Sequence, residues 1–451
     1  MAKSELLLEE PPSTGAVMDR GNLFERFARG VSWNLIGTFL AQGSVFAANI
    51  FVANRLGPQS FGEFSLLQNT ALTFSAIAQL ATGVTATRYI AEYRSSDPER
   101  AGRIIGFCSL FTLGTGLLAG LILFALSGWL SASTLNASHL SGGLKIMALY
   151  LLFSAMSGYQ TGALAGLEGY RHIARLGVVH GAVHIIFCAI GVWFFGLLGA
   201  LWALVASLGV RWWLYHVVIR NEMSRHRITL SFMVHQQEKS LLWRFSIPAA
   251  LGSLTSMPAL WLTNTFLVQH PQGYRQLGFY SAAFTLRAAV MLVPTALNTV
   301  GCSIINNEIN HKDDGRYRQA FWSNTAAVLL SAFLGVGFVL LAGKLLLGLF
   351  GEAFSPAHEA LAILLLAVLP EACAVALYQI IQTQERMWWS FVAVSIPRDG
   401  IMVMAAYFLV QSRGAYGLSL AYLIGWTVAL AVIAIKVYRV GVSPIKINAA
   451  A

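Results

Sequence analysis

The chain has 451 residues, of which 56% are hydrophobic and only 11% are charged, and its formal net charge is +10. Such a composition excludes an ordinary soluble domain, because a globular protein in water needs more polar surface. Apolar runs of about 20 residues recur along the chain without the alternation of a β-barrel, which predicts a polytopic membrane protein built of helices.

Taken in order, residues 1–29 are polar and lack the apolar core of a cleaved signal peptide, so we expect a cytoplasmic tail. Six predicted spans then form a first bundle over 30–219, near 30–54, 61–89, 104–129, 143–167, 175–195 and 197–219. A polar cytoplasmic connector follows over 220–244. A second bundle over 245–438 has spans near 245–269, 276–302, 320–349, 358–384, 388–410 and 415–437, and 439–451 form a cytoplasmic tail.

A turn between the first two spans is the most distinctive local feature. Gly57-Pro58 cannot continue a helix, since proline lacks an N–H donor and glycine leaves the backbone loose. We expect the first span to end there, and one long helix to run from near Phe61 to Glu92.

The frame of this turn recurs 216 residues later, which indicates that the chain contains two copies of one unit. The matched pairs, in chain order, are Gly57 with Gly273, Gly62 with Gly278, Ser65 with Ser281, Asp97 with Asp313, Arg100 with Arg316, Glu168 with Glu385, Gly196 with Gly414, and Gly199 with Gly417. Each copy has an even number of predicted spans, so both insert the same way up. We therefore predict two six-helix bundles related by a pseudo-two-fold axis along the membrane normal, with a substrate site between them.

The positive charges predict the orientation. With the amino terminus in the cytoplasm, most of the 30 lysines and arginines fall in cytoplasmic segments, so both termini are expected there. Basic loops beside anionic lipid account for the net charge without a nucleic-acid partner.

Charges inside the predicted spans are the first candidates for function, because a charge in the membrane usually faces protein or water. Arg287 lies in the middle of a span, where the first half has Ala71. It could bind an anion in a cavity, or it could neutralise a buried acid. Glu371 and Asp399 are the acids available, and Glu371 could carry a coupling proton, whereas Asp399 has Arg398 beside it.

Other candidates allow a structural role equally well. Arg55 and Arg88 lie at the ends of the first two spans and could be charges at a cavity mouth or membrane anchors, and Arg211, beside two tryptophans, is expected to anchor the interface. Two repeated pairs could bond sugar hydroxyls or join helices, namely Tyr159 with Gln160 and Tyr378 with Gln379.

Histidines provide the only spacing that suggests a metal. His180 and His184 lie four residues apart on one face of a predicted helix, but no third ligand is in view. We therefore predict packing rather than a metal site, and no cofactor.

The run from Phe51 to Ser65, together with Gly83-Val-Thr-Ala-Thr-Arg-Tyr-Ile-Ala91, resembles the opening of bacterial polysaccharide transporters, the O-antigen and exopolysaccharide flippases. These belong to the multidrug, oligosaccharidyl-lipid and polysaccharide exporter superfamily. Leu277-Gly-Phe-Tyr-Ser-Ala-Ala-Phe284 fits the same pattern, and the resemblance extends from Arg29 to Arg439.

The resemblance implies a flippase of the bacterial inner membrane that moves an undecaprenyl-pyrophosphate-linked oligosaccharide to the periplasmic leaflet. Two bundles would enclose a cationic cavity and alternate between inward- and outward-facing states. Arg287, Arg55 and Arg88 could then bind the pyrophosphate. Membrane lipids, a polysaccharide polymerase and a chain-length regulator are the partners such a pathway implies.

Three alternatives remain open. A drug exporter of the same superfamily would need acids in its cavity, and here these are few. A lipid II flippase of the superfamily usually carries extra spans. A membrane-bound polymerase, ligase or glycosyltransferase needs a large loop and a catalytic constellation; none stands out, so we expect no catalytic residues.

Overall fold

The computed structural model describes residues 20–232, 247–311, 314–383 and 387–440, which form helices joined by short turns. The predicted tails and connector fall partly outside this range, at 1–19, 233–246 and 441–451, as do Asp313 and Glu385 of the repeat. The helices are α1 (Arg20–Gln79), α2 (Thr82–Tyr93), α3 (Pro98–Trp129), α4 (Ser141–Gly166), α5 (Tyr170–Arg225), α6 (Ile247–Val268), α7 (Gly273–His311), α8 (Asp314–Phe350), α9 (His358–Thr383) and α10 (Ile396–Val440).

Three of these helices are bent sharply at a glycine that lies in a predicted break between spans. The glycines are Gly57 in α1 (φ 73°, ψ 172°), Gly196 in α5 (φ 55°, ψ −133°) and Gly414 in α10 (φ 52°, ψ −128°). A positive φ is costly for any residue with a side chain, so glycine is needed at these corners. Helix α5 therefore contains two of the predicted spans, and α1 and α10 each contain one span and part of another.

The corners in α5 and α10 have the same local geometry, 218 residues apart. After each corner the chain returns along itself so closely that a Cβ on Gly199 would lie 1.9 Å from the carbonyl oxygen of Gly191. At the matching place, a Cβ on Gly417 would lie 2.2 Å from the carbonyl oxygen of Leu409. The two halves thus repeat a tight helical hairpin at corresponding positions.

The expected long helix from Phe61 to Glu92 is wrong in one respect, since it is interrupted after Gln79. Leu80 and Ala81 adopt positive φ angles of 41° and 54° before α2 begins. The hydroxyl of Thr115 in α3 donates to the carbonyl of Ala78 at 2.8 Å, which satisfies an acceptor that the break releases. This compensation comes from a neighbouring helix and is invisible in the local sequence.

Most packing occurs within each half of the chain, and most contacts between the halves run from α1 to α6, α7, α8 and the short 3₁₀ turn Glu352–Ala357. Among the described residues, seven helices are long and apolar enough to cross a membrane, and of these α4, α7 and α9 are the more buried. Because α1, α5 and α10 are each bent into two segments, the crossings outnumber these helices, and the protein is an all-α polytopic membrane protein with about twelve transmembrane helices, as predicted. The domain boundaries and the pseudo-two-fold axis remain predictions.

Candidate functional site

The two halves meet near one end of their membrane helices, the end that the charge pattern predicts to be periplasmic. Asn54 Nδ2 donates to the carbonyl oxygen of Leu349 at 3.3 Å, and Tyr274 Oη donates to that of Leu135 at 2.7 Å. These hydrogen bonds join helix ends of one half to those of the other.

Further contacts between the halves lie near the middle of the helices. Trp261 Nε1 in α6 donates to Thr70 Oγ1 at 2.9 Å, and Thr73 Oγ1 donates to the carbonyl oxygen of Met257 at 3.4 Å. Both threonines belong to α1, which ends two turns later at Gln79. The interface therefore extends from one end of the helices to about their midpoint.

Beyond that midpoint, a groove of about 570 Å³ opens along α2 and α4. A volume of this size is typical of small-molecule sites. Its polar lining consists of Gln79, Thr87, Arg88 and Thr161, and glycines from both helices complete the walls. The helices approach so closely here that a Cβ on Gly162 would lie 2.0 Å from the carbonyl oxygen of Gly83.

Arg211 is a candidate that the sequence analysis missed, because it bonds to a residue that lines this groove. Its Nη2 donates to Thr161 Oγ1 at 3.2 Å, and its guanidinium carbon lies 5.1 Å from the ring of Tyr215. Its Nε is buried without a hydrogen-bond partner in the described part of the chain. The prediction that Arg211 is an interfacial anchor is therefore replaced by a cation that bonds to the groove wall. Its position well inside a predicted span was the sequence feature that could have indicated this role.

Arg88 is exposed on α2 and lines the groove, whereas Arg55 lies elsewhere. The guanidinium carbon of Arg88 is 5.6 Å from the ring of Tyr89. Arg55 is near the joined end, with its guanidinium carbon 4.2 Å from the ring of Trp193 in α5. The structure thus brings Arg88, but not Arg55, to the groove.

In the second half, Arg287 is buried and forms an ion pair with Glu371 rather than with Asp399. Tyr422 Oη donates to Glu371 Oε2 at 3.1 Å. The guanidinium carbon of Arg287 also lies 5.0 Å from the rings of Phe284 and Tyr422. The pair joins α7 to α9, and Tyr422 adds α10, so three helices are held by one polar contact.

Asp399 has partners of its own in the same bundle. Arg398 Nε donates to Asp399 Oδ1 at 2.7 Å, and Ser256 Oγ in α6 donates to Asp399 Oδ2 at 3.2 Å. Arg398 also donates to Ser256 and lies 4.8 Å from the ring of Trp426. The neighbouring charges neutralise each other and connect α10 to α6.

The repeated tyrosine and glutamine pairs bond to neighbouring helices within their own bundles. Tyr159 Oη donates to the carbonyl oxygen of Ile105 at 2.8 Å, and Gln160 Nε2 to that of Trp212 at 3.0 Å.

In the second half, Gln379 Nε2 donates to the carbonyl oxygen of Asn298 at 3.1 Å, and Tyr378 Oη lies 2.5 Å from Ser390 Oγ. Their donors serve helix packing, and neither pair lines the groove along α2 and α4.

The two histidines of α5 stack on each other, with ring centroids 5.8 Å apart. His184 Nδ1 lies 3.1 Å from Ser207 Oγ. Within the described residues, no group of three histidine, cysteine or acidic side chains could hold a metal ion. Stacking and the hydroxyl of Ser207 account for the His184 ring, whereas His180 Nε2 is buried without a hydrogen-bond partner among the described residues.

Comparison with known proteins finds relatives over most of the chain. The chain is 26% identical, over 84% of its length and 86% of the relative's, to a protein of Ralstonia nicotianae described as "EPS I polysaccharide export inner membrane protein EpsE". A protein of Ralstonia solanacearum with the same description is 24% identical over the same shares. Both relatives are described as inner membrane proteins of polysaccharide export, which agrees with the seven membrane-capable helices among the described residues.

Solved structures establish the fold. An inward-facing multidrug resistance MATE family transporter of the MOP superfamily superposes with a TM-score of 0.74 at 16% identity, covering 90% of this chain and 96% of the other. The outward-facing form of a transporter with the same description gives 0.64 over 91% and 96%. A MOP superfamily transporter from Pyrococcus furiosus, described as having a binding pocket of reverse polarity, gives 0.65 at 16% identity over 91% and 95%.

The family follows from the sequence itself. The model of the family described as "Polysaccharide biosynthesis protein" matches residues 27–301, which include α1, the groove along α2 and α4, and the start of the second half. Because this match covers more than half of the chain, the protein belongs to the polysaccharide biosynthesis protein family.

Proposed function

We propose that this transporter is a flippase that moves an undecaprenyl-pyrophosphate-linked oligosaccharide from the cytoplasmic to the periplasmic leaflet by alternating access. The observation that carries the proposal is a groove beyond the end of the interface between the halves, with Arg88 in its lining and Arg211 bonded to its wall. A head group could enter such a groove from one side of the membrane while the joined helix ends close the other side.

The groove along α2 and α4 has the chemistry that a diphosphate needs. Arg88 lines it, and Arg211 bonds to its wall through Thr161, so two cations lie in one bundle. Guanidinium groups bind phosphate oxygens with paired, charge-assisted hydrogen bonds. Thr87 and Thr161 donate their hydroxyl protons to the carbonyl oxygens of Gly162 and Ser157, so the two arginines carry the contact to phosphate. The polyprenyl tail can stay in lipid, so only the polar head requires shelter.

This placement changes the roles that we propose for the other arginines. Arg287 already binds Glu371 and is 7% exposed, so a pyrophosphate would have to displace a buried carboxylate to reach it. Arg55 lies at the joined end, where it would meet the head group only on release. We therefore assign first contact with the diphosphate to Arg88 and Arg211.

For energy coupling we propose Glu371, with Asp399 as the second candidate. Arg287 and Tyr422 both bind Oε2 of Glu371, and a proton taken up by the carboxyl group would remove the negative charge that holds both contacts. Proton exchange would then accompany a movement of α7 against α9. If so, Glu371→Gln should remove the pH dependence of flux in reconstituted vesicles; an unchanged pH profile assigns Glu371 to structure alone.

The remaining parts of the proposal follow from the charge pattern and the family. We place both termini in the cytoplasm and the joined helix ends in the periplasm. The bundles over 30–219 and 245–438 are the moving units. The lipid-linked oligosaccharide is the substrate, and a polymerase and a chain-length regulator act after it.

Loss of the gene in its source strain provides the first test. We expect loss of surface polysaccharide and accumulation of intact lipid-linked repeat units on the cytoplasmic side. An impermeant periodate reagent should oxidise these units after lysis but not in intact spheroplasts. Repeat units that are oxidised without lysis would show that translocation does not need this protein. That outcome would favour a different cargo, such as a small molecule exported with ion coupling.

A further inference from the structure

A pair of glycines makes a reciprocal contact at the joined end of the two halves. A Cβ on Gly62 would lie 1.9 Å from the carbonyl oxygen of Tyr274, and a Cβ on Gly278 would lie 1.9 Å from that of Pro58. Each glycine thus faces the carbonyl that lies four residues before the other glycine. Both pairs are separated by 216 positions, so equivalent places in the two copies contact each other.

No side chain larger than hydrogen fits this contact. Real Cβ atoms do not approach within 3.0 Å of another heavy atom, and the atoms here are backbone, which cannot rotate away. The two helices therefore touch backbone to backbone. A methyl group on either glycine must push α1 and α7 apart.

The two flanks of the glycine contact are sealed in different ways. On one side, Phe61 of α1 packs against Phe350 and Phe354, with ring centroids 6.5 and 6.0 Å away, and Phe279 lies 6.3 Å from Phe354. This aromatic cluster is almost completely buried.

On the other side, hydrogen bonds span the two halves. Gln269 Nε2 donates to the carbonyl oxygen of Thr134 at 3.3 Å, beside the bond from Tyr274 to Leu135. The end is therefore closed by an apolar plug, a backbone contact and a polar edge, all within a few turns.

We propose that Gly62 and Gly278 are the gate of the transporter at this end: their contact closes the path, and it must break for the cargo to leave. The inference rests on the alternating access of the proposed function. It adds which atoms close the path and why glycine is required at both positions. Because Phe61 packs against Phe350 and Phe354 across this seam, separating the seam also exposes apolar surface, and the burial of that surface favours the closed state.

The test measures access from the outside at Ser281, a half-buried residue one turn inside Gly278. Ser281→Cys is introduced with the half-buried Cys302 and Cys373 replaced by serine, and intact cells are treated with an impermeant maleimide. We expect little labelling in this parent and severalfold more in Gly62→Ala and in Gly278→Ala. Gly142→Ala is the matched control, because it lies in α4 at the same end with open space around it, and it should label like the parent.

Equal labelling in the parent and in both glycine variants, at normal membrane levels, overturns the proposal. If the glycine variants do not accumulate, a second experiment decides. Thr134→Cys with Gln269→Cys, joined by a short cleavable bifunctional thiol reagent, should stop transport until the bridge is reduced. Full transport by the bridged protein would show that this end does not open. The labelling experiment needs no cargo, so it can contradict the proposed gate without contradicting the proposed flippase. Absence of transport in the parent would contradict the flippase instead.

Discussion

Arg287→Ala should destabilise the protein more than any other single change to a charged side chain discussed above. It leaves the Glu371 carboxylate buried at 8% exposure without its cation. Breaking one side of a buried ion pair typically costs about 3–5 kcal/mol, whereas replacing both partners by apolar residues of similar size is often neutral. We therefore expect a large drop in the thermal midpoint of the purified variant, and recovery in Arg287→Met combined with Glu371→Met.

The double variant also separates the two roles that these residues could have. If the pair only holds α7 to α9, the double variant should fold and transport like the parent. If it folds normally and transports nothing, one of the two residues takes part in the cycle, and the Glu371→Gln pH profile then distinguishes proton coupling from anion binding. Tyr422→Phe is the matched control. It removes one hydrogen bond to the same carboxylate and should cost about 1 kcal/mol without loss of transport.

The sequence predicted the helical corners well and the partners of buried charges poorly, for a physical reason. A corner such as Gly196 or Gly414 combines a positive φ, which only glycine adopts cheaply, with an interrupted apolar run, and both signals are local. The choice of Glu371 over Asp399 as the partner of Arg287 depends on how three helices pack. Both acids lie far from Arg287 along the chain, and neither position is distinguished by spacing.

Two further differences have the same origin. The break at Leu80 and Ala81 is compensated by Thr115 of another helix, so the apolar run around it looks continuous. Arg211 was expected to reach for the membrane surface because tryptophans follow it. In the structure, Arg211 donates a hydrogen bond to Thr161 of α4 inside the bundle, and this bond replaces a hydrogen bond to water at the membrane surface.

Arg88→Ala should reduce flipping about 10- to 100-fold while membrane levels stay normal, because a hydrogen bond to a charged group contributes about 1.5–3 kcal/mol. The exposed side chain lines the groove, so its removal should leave the packing of α2 intact. Arg88→Lys should retain part of the activity, since lysine keeps the charge but loses the paired geometry of a guanidinium. Transport is measured in vesicles with purified lipid-linked oligosaccharide. Arg171→Ala, an exposed arginine in the first turn of α5 in the same bundle, is the control and should be silent.

Binding of a diphosphate can be examined without the lipid. Val84 is 52% exposed and lines the groove next to Arg88. Inorganic pyrophosphate should therefore protect the thiol of Val84→Cys from a thiol reagent. The protection should weaken when Arg88→Ala or Arg211→Ala is added. It should also weaken at high salt, which screens exposed charges. Protection that survives loss of both arginines would mean that the diphosphate lies elsewhere. A parallel loss of protection and of flux would instead show that the first bundle binds the head group through these two arginines.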